Sequence, residues 1–189
     1  MDSIETAVQG VKEGKVQLFE KVVEYFQQPL FRYCYRMLGN IQEAEDAVQE
    51  VFLKAFDKIG SYSKSISFSA WLYKIAYNHC VNIIRRRNLF RFVAFSETSL
   101  SDTGDVGITY EEKEINKELK LVLSKLSSAD RCILILKNVE GKSFEEIAPI
   151  MNIKPAAIRK RYERLRKKLK VSLSNIKGGM VNENYSVNG

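Results

Sequence analysis

Proline occurs only three times in 189 residues, glycine ten times, and histidine and tryptophan once each. So few breakers among so many helix formers argue against a turn-rich β protein and for an all-α fold. No run of about 18 apolar residues is present to span a membrane, and the first residues lack the basic-then-apolar pattern of a signal segment. The cysteines, Cys34, Cys80 and Cys132, are odd in number, far apart and embedded in apolar periodic segments. They read as reduced thiols of a cytoplasmic protein rather than as a disulfide framework. His79 stands beside Cys80, but one histidine without a Cys-x-x-Cys gives little basis for a zinc site. There is no phosphate loop, triad or carboxylate pair with a histidine, so no enzyme activity, cofactor or metal is expected.

What is present is charge, unevenly placed. The formal net charge is +7, concentrated in "RRRNLFR" at 85–91 and "KPAAIRKRYERLRKKLK" at 154–170. Between them, "SETSLSDTGDVGITYEE" at 96–112 has no basic residue and is rich in Ser, Thr, Gly and Asp. This composition break predicts two helical domains, 1–95 and 114–175, joined by a flexible acidic linker at 96–113. Residues 176–189 lack periodicity and read as a disordered tail.

The first domain begins with helical periodicity over 4–27, broken near Gly14, and a second helix is expected from about Pro29 to the stop at Gly39-Asn40. "NIQEAEDAVQEVFLKAF", 40–56, then opens with Asn40 as a helix cap and Glu43 as its reciprocal partner. At 100° per residue Ala44, Val48, Val51, Phe52, Ala55 and Phe56 share a core-facing arc. Asp46, Gln49, Glu50 and Leu53 form a strip on the other side. Three readings apply: a solvated face with a stray leucine, a docking strip for a basic partner, or a carboxylate site for metal or acid–base chemistry. The last lacks partner ligands at helical spacing.

A polar loop, "SYSKSIS", leads into a long helix from about 68 to 87. Trp71, Leu72, Ile75, Ala76, Cys80, Ile83 and Ile84 can face a core, leaving Lys74, Asn78, Asn82 and Arg85, Arg86 and Arg87 largely elsewhere. Tyr62, Phe68, Tyr73 and Tyr77 lie near that basic end. Rings beside cations suit unpaired bases, which stack on the rings while Lys and Arg follow phosphates. The competing reading places most of these rings in the core.

The second domain carries a helix-turn-helix pattern over 126–169. Ser127 with Asp130, and Ser143 with Glu146, are capping-box pairs before apolar runs. Phe144, Ile147, Ala148 and Ile150 or Met151 form one buried face. Asn152 suits a turn needing positive φ, and Pro155 suits a first helical position. Ile158, Leu165 and Leu169 anchor the next helix. Arg159, Lys160, Glu163, Arg164 and Lys167 point outward, with Lys154 and Ala156 at its start, a face that fits a DNA major groove. A solvated charged helix would explain the charge but not the turn chemistry.

In order along the chain, "AEDAVQEVFLKAF", "FSAWLYKIAYN", an acidic linker and "SFEEIAPIMNIKPAAIRKRYERLRKKL" resemble a bacterial sigma factor of the extracytoplasmic-function group, in the sigma-70 family. The resemblance spans about residues 5–173. It implies that Asp46, Gln49 and Glu50, with Leu53 beside them, dock on the β′ clamp helices of core RNA polymerase. The Tyr62-to-Phe68 loop and the helix with Lys74, Tyr77 and Asn78 would open the −10 promoter element and hold an extruded base, with Arg85, Arg86 and Arg87 along its backbone. Lys154, Ala156, Arg159, Lys160, Glu163, Arg164 and Lys167 would serve the −35 element, near the polymerase β flap. The linker would thread toward the polymerase active-site channel.

An alternative, stress-responsive role in the cytoplasm of a bacterium is implied, because the extra domains of primary sigma factors are lacking. Also implied is restraint by an anti-sigma protein, often membrane-anchored. Two positions depart from the pattern: Lys154 replaces a Ser or Thr cap, and Asn152 replaces Gly. The competing reading is a stand-alone helix-turn-helix regulator that binds duplex operator DNA, which leaves the acidic strip and the aromatic loop unexplained.

Overall fold

The computed structural model describes residues 2–93 and 126–183. These are helical, with no strand among them. The first unit is α1 (Asp2–Lys12), a 3-10 turn at Val16–Leu18, α2 (Phe19–Leu38), α3 (Ile41–Lys58) and α4 (Phe68–Val93). The second is α5 (Ser128–Leu134), continuing as a π turn at Ile135–Val139, then α6 (Phe144–Met151) and α7 (Pro155–Glu183). The expected linker at 96–113 lies outside the described residues.

Local chemistry sets most boundaries. Gly39 closes α2 at φ 75°, its N–H bonded to Tyr35 O at 2.7 Å, a left-handed cap that glycine adopts without Cβ strain. Asn40 caps α3 by accepting from the Glu43 N–H at 3.0 Å. The reciprocal bond expected from Glu43 is not made, because its carboxylate pairs with Arg87 of α4. Ser143 and Glu146 make both halves of the capping box, and those hydrogen bonds hold the Glu146 carboxyl below its ordinary pKa. Ser127 accepts from the Asp130 N–H at 3.1 Å, but the Asp130 side chain turns to Arg161 and the Ser127 hydroxyl instead.

Two boundaries differ from expectation. Helix α2 begins at Phe19 and runs through Pro29 without stopping. A proline there removes one hydrogen bond, the one to Tyr25 O, and Tyr25 is exposed, so water can take its place. Helix α7 continues to Glu183, into the stretch read as a disordered tail. No proline interrupts it, and its glycines each cost only about 1 kcal/mol.

Helices α2, α3 and α4 pack on one another around Val22, Leu30, Met37, Ala44, Ala47, Val51, Leu72 and Ala76. The second unit centres on Cys132, Ile133, Leu136, Ile147, Ile150 and Ile158. These two sets form one continuous apolar cluster. Where they meet, Tyr33 Oη lies 3.3 Å from Cys132 Sγ and Tyr73 donates to Glu140 at 2.8 Å. Arg131 donates to Met37 O at 2.6 Å, and Lys142 reaches Ser69 at 3.2 Å while lying 4.7 Å from the Tyr73 ring centre. The two units therefore share a polar-edged seam.

Candidate protein- and nucleic-acid-binding surfaces

The α3 strip stands as its spacing predicts. Ala44, Ala47, Val48, Val51, Phe52 and Ala55 are buried, while Asp46, Gln49, Glu50 and Leu53 are exposed. Leu53 is 60% exposed, too much for a packing role in the free chain. Phe56, expected in the core, is 37% exposed and rests edge-on against Phe19 at 5.2 Å. Glu50 is engaged by Lys54, one turn on, at 3.1 Å. Such a half-exposed i, i+4 pair contributes only about 0.3–0.5 kcal/mol, so a partner's cation can displace Lys54 at little cost.

The outer face of α7 is equally clear. Ile158, Tyr162 and Leu165 are buried against the unit. Asn152 sits at φ 55° and ψ 45° between α6 and α7, the left-handed turn its position required. The Lys154 carbonyl accepts from the Ala157 and Ile158 N–H groups at 3.0 and 3.2 Å. A shallow groove of about 650 Å³ is lined by Ala156, Arg159, Lys160, Glu163, Arg164 and Lys167, together with Glu145 and Pro155. Six of the seven predicted residues thus converge, and Lys154 alone does not line the groove. Arg159 rests 3.7 Å from Glu145 and over the Phe144 ring.

The α4 surface needs corrections. Tyr62 and Phe68 are 3% and 1% exposed, so neither ring offers a face to a base in this arrangement. They pack on each other and on Trp71. The Tyr62 hydroxyl is held by the Glu5 carboxylate at 3.0–3.1 Å, and burial together with Glu5 pushes its pKa to about 12. Arg87 turns inward to Glu43 and Leu38 O, tying α4 to the corner between α2 and α3. Tyr77 is half-buried, and its hydroxyl is shifted upward by burial and the nearby Cys132 of the second unit. Asn78, Arg85 and Arg86 are exposed, and Lys74 is half-buried.

Comparison with known proteins identifies the chain. The family model for Sigma-70 region 2 matches residues 22–90 and that for Sigma-70 region 4 matches residues 116–169. The ECF RNA polymerase sigma factor SigW of Bacillus subtilis is 32% identical over 183 residues, 92% of this chain and 98% of SigW. The chain belongs to the extracytoplasmic-function sigma factors. The solved structure of CnrH in complex with the cytosolic domain of CnrY has the same fold, with a TM-score of 0.69 and 20% identity over 92% of this chain and 98% of that one. So does the sigma factor RpoE in complex with the anti-sigma factor NepR from Bartonella quintana, at a TM-score of 0.66 and 24% identity, covering 82% of this chain and 96% of that one.

In this sigma factor the region 2 match covers the acidic strip and the aromatic loop, the parts a stand-alone helix-turn-helix regulator leaves unexplained. Neither matched family is catalytic. Among the described residues no helix is long and apolar enough to cross a membrane. Several residues that organise the sigma-factor surfaces were missed in the sequence. Glu5 of α1 also accepts from the Phe68 N–H at 3.1 Å, fixing the loop at both ends. Arg161 pairs with Asp130 at 2.5 Å and aligns α7 on α5. Burial raises the Asp130 pKa, but the Arg161 and Ser127 hydrogen bonds outweigh it and leave the carboxyl below its ordinary value. His79 accepts from Lys54, joining α4 to α3.

Proposed function

We propose that this sigma factor docks on the β′ clamp helices of core RNA polymerase through Asp46, Gln49, Glu50 and Leu53. It reads a −10 element with the α4 surface around Asn78 and a −35 element with the α7 groove. The observation that carries the docking role is the division of α3, buried along one face and exposed at all four strip residues. At α4, Asn78 offers a donor and an acceptor to a base edge, with Lys74, Arg85 and Arg86 following the strand. At α7, Arg159 leaves Glu145 to reach a base, Arg164, Lys160 and Glu163 line the groove, and Lys167 faces phosphate. Residues 96–113 bridge the units toward the polymerase active-site channel, and region 4 meets the β flap.

Elements centred near −10 and −35 are about 25 base pairs apart, on the order of 85 Å of B-form DNA. A compact chain of this length has a radius of gyration of about 16 Å. The seam between the units therefore opens before both elements are read together. An anti-sigma protein, free or membrane-anchored, holds the factor until a stress signal arrives, and the factor works in the bacterial cytoplasm.

Charge reversal tests the docking. Asp46→Arg with Glu50→Arg should weaken core polymerase binding at least tenfold, two like-charge contacts at about 0.7 kcal/mol each being enough. The far-UV spectrum and melting temperature should hold, because both positions are exposed. Unchanged polymerase affinity would remove the strip from the docking role.

A further inference from the structure

The loop that leads into α4 is held by a helix that lies ahead of the matched family segment. Sigma-70 region 2 is matched from residue 22, whereas α1 spans Asp2–Lys12. Ile4, Ala7, Val8 and Val11 bury one face of α1, at the i, i+3, i+4, i+7 spacing of an amphipathic helix. Glu5 and Lys12 then share a flank of that face, about two turns or roughly 10 Å from each other. Both reach the loop. The Lys12 ammonium donates to Tyr62 O at 2.8 Å. The Glu5 carboxylate accepts from the Phe68 N–H at 3.1 Å and from the Tyr62 hydroxyl at 3.0–3.1 Å. The same hydroxyl lies 3.1 Å from Ile66 O. It has one hydrogen to give, and the ionised carboxylate is the stronger acceptor, so Glu5 takes it.

Between these anchors the chain turns outward. Ser63, Lys64 and Ser65 are exposed, and the two serine hydroxyls lie 2.8 Å apart. A tip with little buried surface has little packing to fix its shape, so its shape is set where its ends are tied. We propose that Glu5, assisted by Lys12, is a positioning residue for −10 recognition, holding the 63–65 tip in the form that selects one base of the opened strand. This role rests on the reading of this end of the first unit as the −10 surface, and it adds α1 to that surface. Hydrogen bonds from hydroxyl and backbone groups to a base edge are directional, so a displaced tip loses selectivity. Without Glu5 the Tyr62 hydroxyl turns to Ile66 O and the Phe68 N–H loses its acceptor. The loop then settles in another shape, while the buried face of α1 and the Tyr62, Phe68 and Trp71 rings stay packed.

The test uses holoenzyme, assembled from core polymerase and the full chain, with fork-junction fragments of a promoter that it transcribes. The fragments carry each of the four bases at each −10 position in turn. Wild type is compared with Glu5→Ala, Glu5→Gln, Tyr62→Phe, the Ser63→Ala, Ser65→Ala double variant and Asn78→Ala. The readout is the ratio of affinities among the four bases, which a smaller folded fraction leaves unchanged. One read position is worth roughly 5- to 150-fold in affinity. Glu5→Ala should remove most of that preference at one position and leave the other positions as in wild type. Glu5→Gln, which keeps one acceptor oxygen, should retain part of it. Glu5→Ala combined with Tyr62→Phe should fall short of the product of the two single effects, because both act on one bond. Trypsin cleavage after Lys64 in the free chain, followed by mass spectrometry, reports the tip itself. It should speed up in Glu5→Ala while cleavage after Lys167 in α7 keeps its rate. Faster cleavage at Lys64 with wild-type base ratios would refute the positioning role. If Asn78→Ala or the serine double variant shifts the ratios and Glu5→Ala does not, that role is refuted and the −10 reading stands. Wild-type ratios in every variant refute both.

Discussion

Tyr73→Phe takes a single oxygen out of the seam between the two units. That oxygen donates to Glu140 at 2.8 Å, while the ring, 2% exposed, packs edge-on against Tyr33 at 5.2 Å and under the Lys142 ammonium. Phenylalanine keeps both ring contacts. A hydrogen bond to a charged group contributes about 1.5–3 kcal/mol, and the lower figure applies here because Glu140 is half-buried and regains some water. The bond exists only when the units are seated, so its loss falls on the closed arrangement. About 1.5 kcal/mol corresponds to roughly a tenfold larger open population.

Cysteine labelling reads that population. Cys132 is fully buried against Tyr33 across the seam, and burial pushes its pKa up to about 12. Its thiol is therefore inert until the units part. Cys34 and Cys80 lie within the first unit, 3.8 Å from each other, and serve as an internal control. With an excess of maleimide and peptide mass spectrometry, Tyr73→Phe should label Cys132 about ten times faster than wild type, the factor given by the same energy. Cys34 and Cys80 should keep their rates. Acceleration of all three would mean general loosening of the fold, and an unchanged Cys132 rate would mean that Tyr73–Glu140 does not hold the seam.

Adjacent arginines at the end of α4 should separate in behaviour. Arg87→Ala breaks the pair with Glu43 and the bond to Leu38 O and should lower the melting temperature by about 2–4 °C for each kcal/mol lost. Arg86→Ala, at an exposed position, should leave the melt alone and weaken promoter binding; equal melts for the two would contradict the inward placement of Arg87. Acid sensitivity should involve Asp130. Its folded pKa lies below the ordinary 3.8, so its contribution is complete above that value and is lost as pH falls through the folded one. Urea midpoints between pH 5 and 2 should therefore fall less steeply for Asp130→Asn than for wild type, and parallel curves would show that the Arg161 pair contributes nothing.

What could be read from sequence was what is decided locally. The acidic strip needed only helical spacing around Val48 and Val51, and the helix-turn-helix needed only Ser143, Asn152 and Pro155, whose backbone preferences act within a few residues. What stayed hidden depended on partners distant in sequence. Tyr62 and Phe68 follow a polar loop and precede a basic helix end, a pattern shared by base-stacking rings and buried ones. The decision comes from Glu5, 57 residues from Tyr62. Arg87 looked like its exposed neighbours until Glu43 drew it inward, and that same contact cost Asn40 its reciprocal cap. Pro29 signalled a helix start because the rule is local, whereas the buried faces on both sides of it carry α2 through. The seam had no signature: Tyr73, Glu140 and Lys142 are ordinary residues until the two units meet.

Transcription itself tests the central claim most directly. Core RNA polymerase, with and without this chain, would be supplied with a promoter library and the run-off products sequenced. The account predicts transcripts that depend on the chain and start at fixed positions, downstream of shared −10 and −35 elements. If the chain neither joins core polymerase nor changes its start sites, yet binds duplex DNA alone, the account is contradicted.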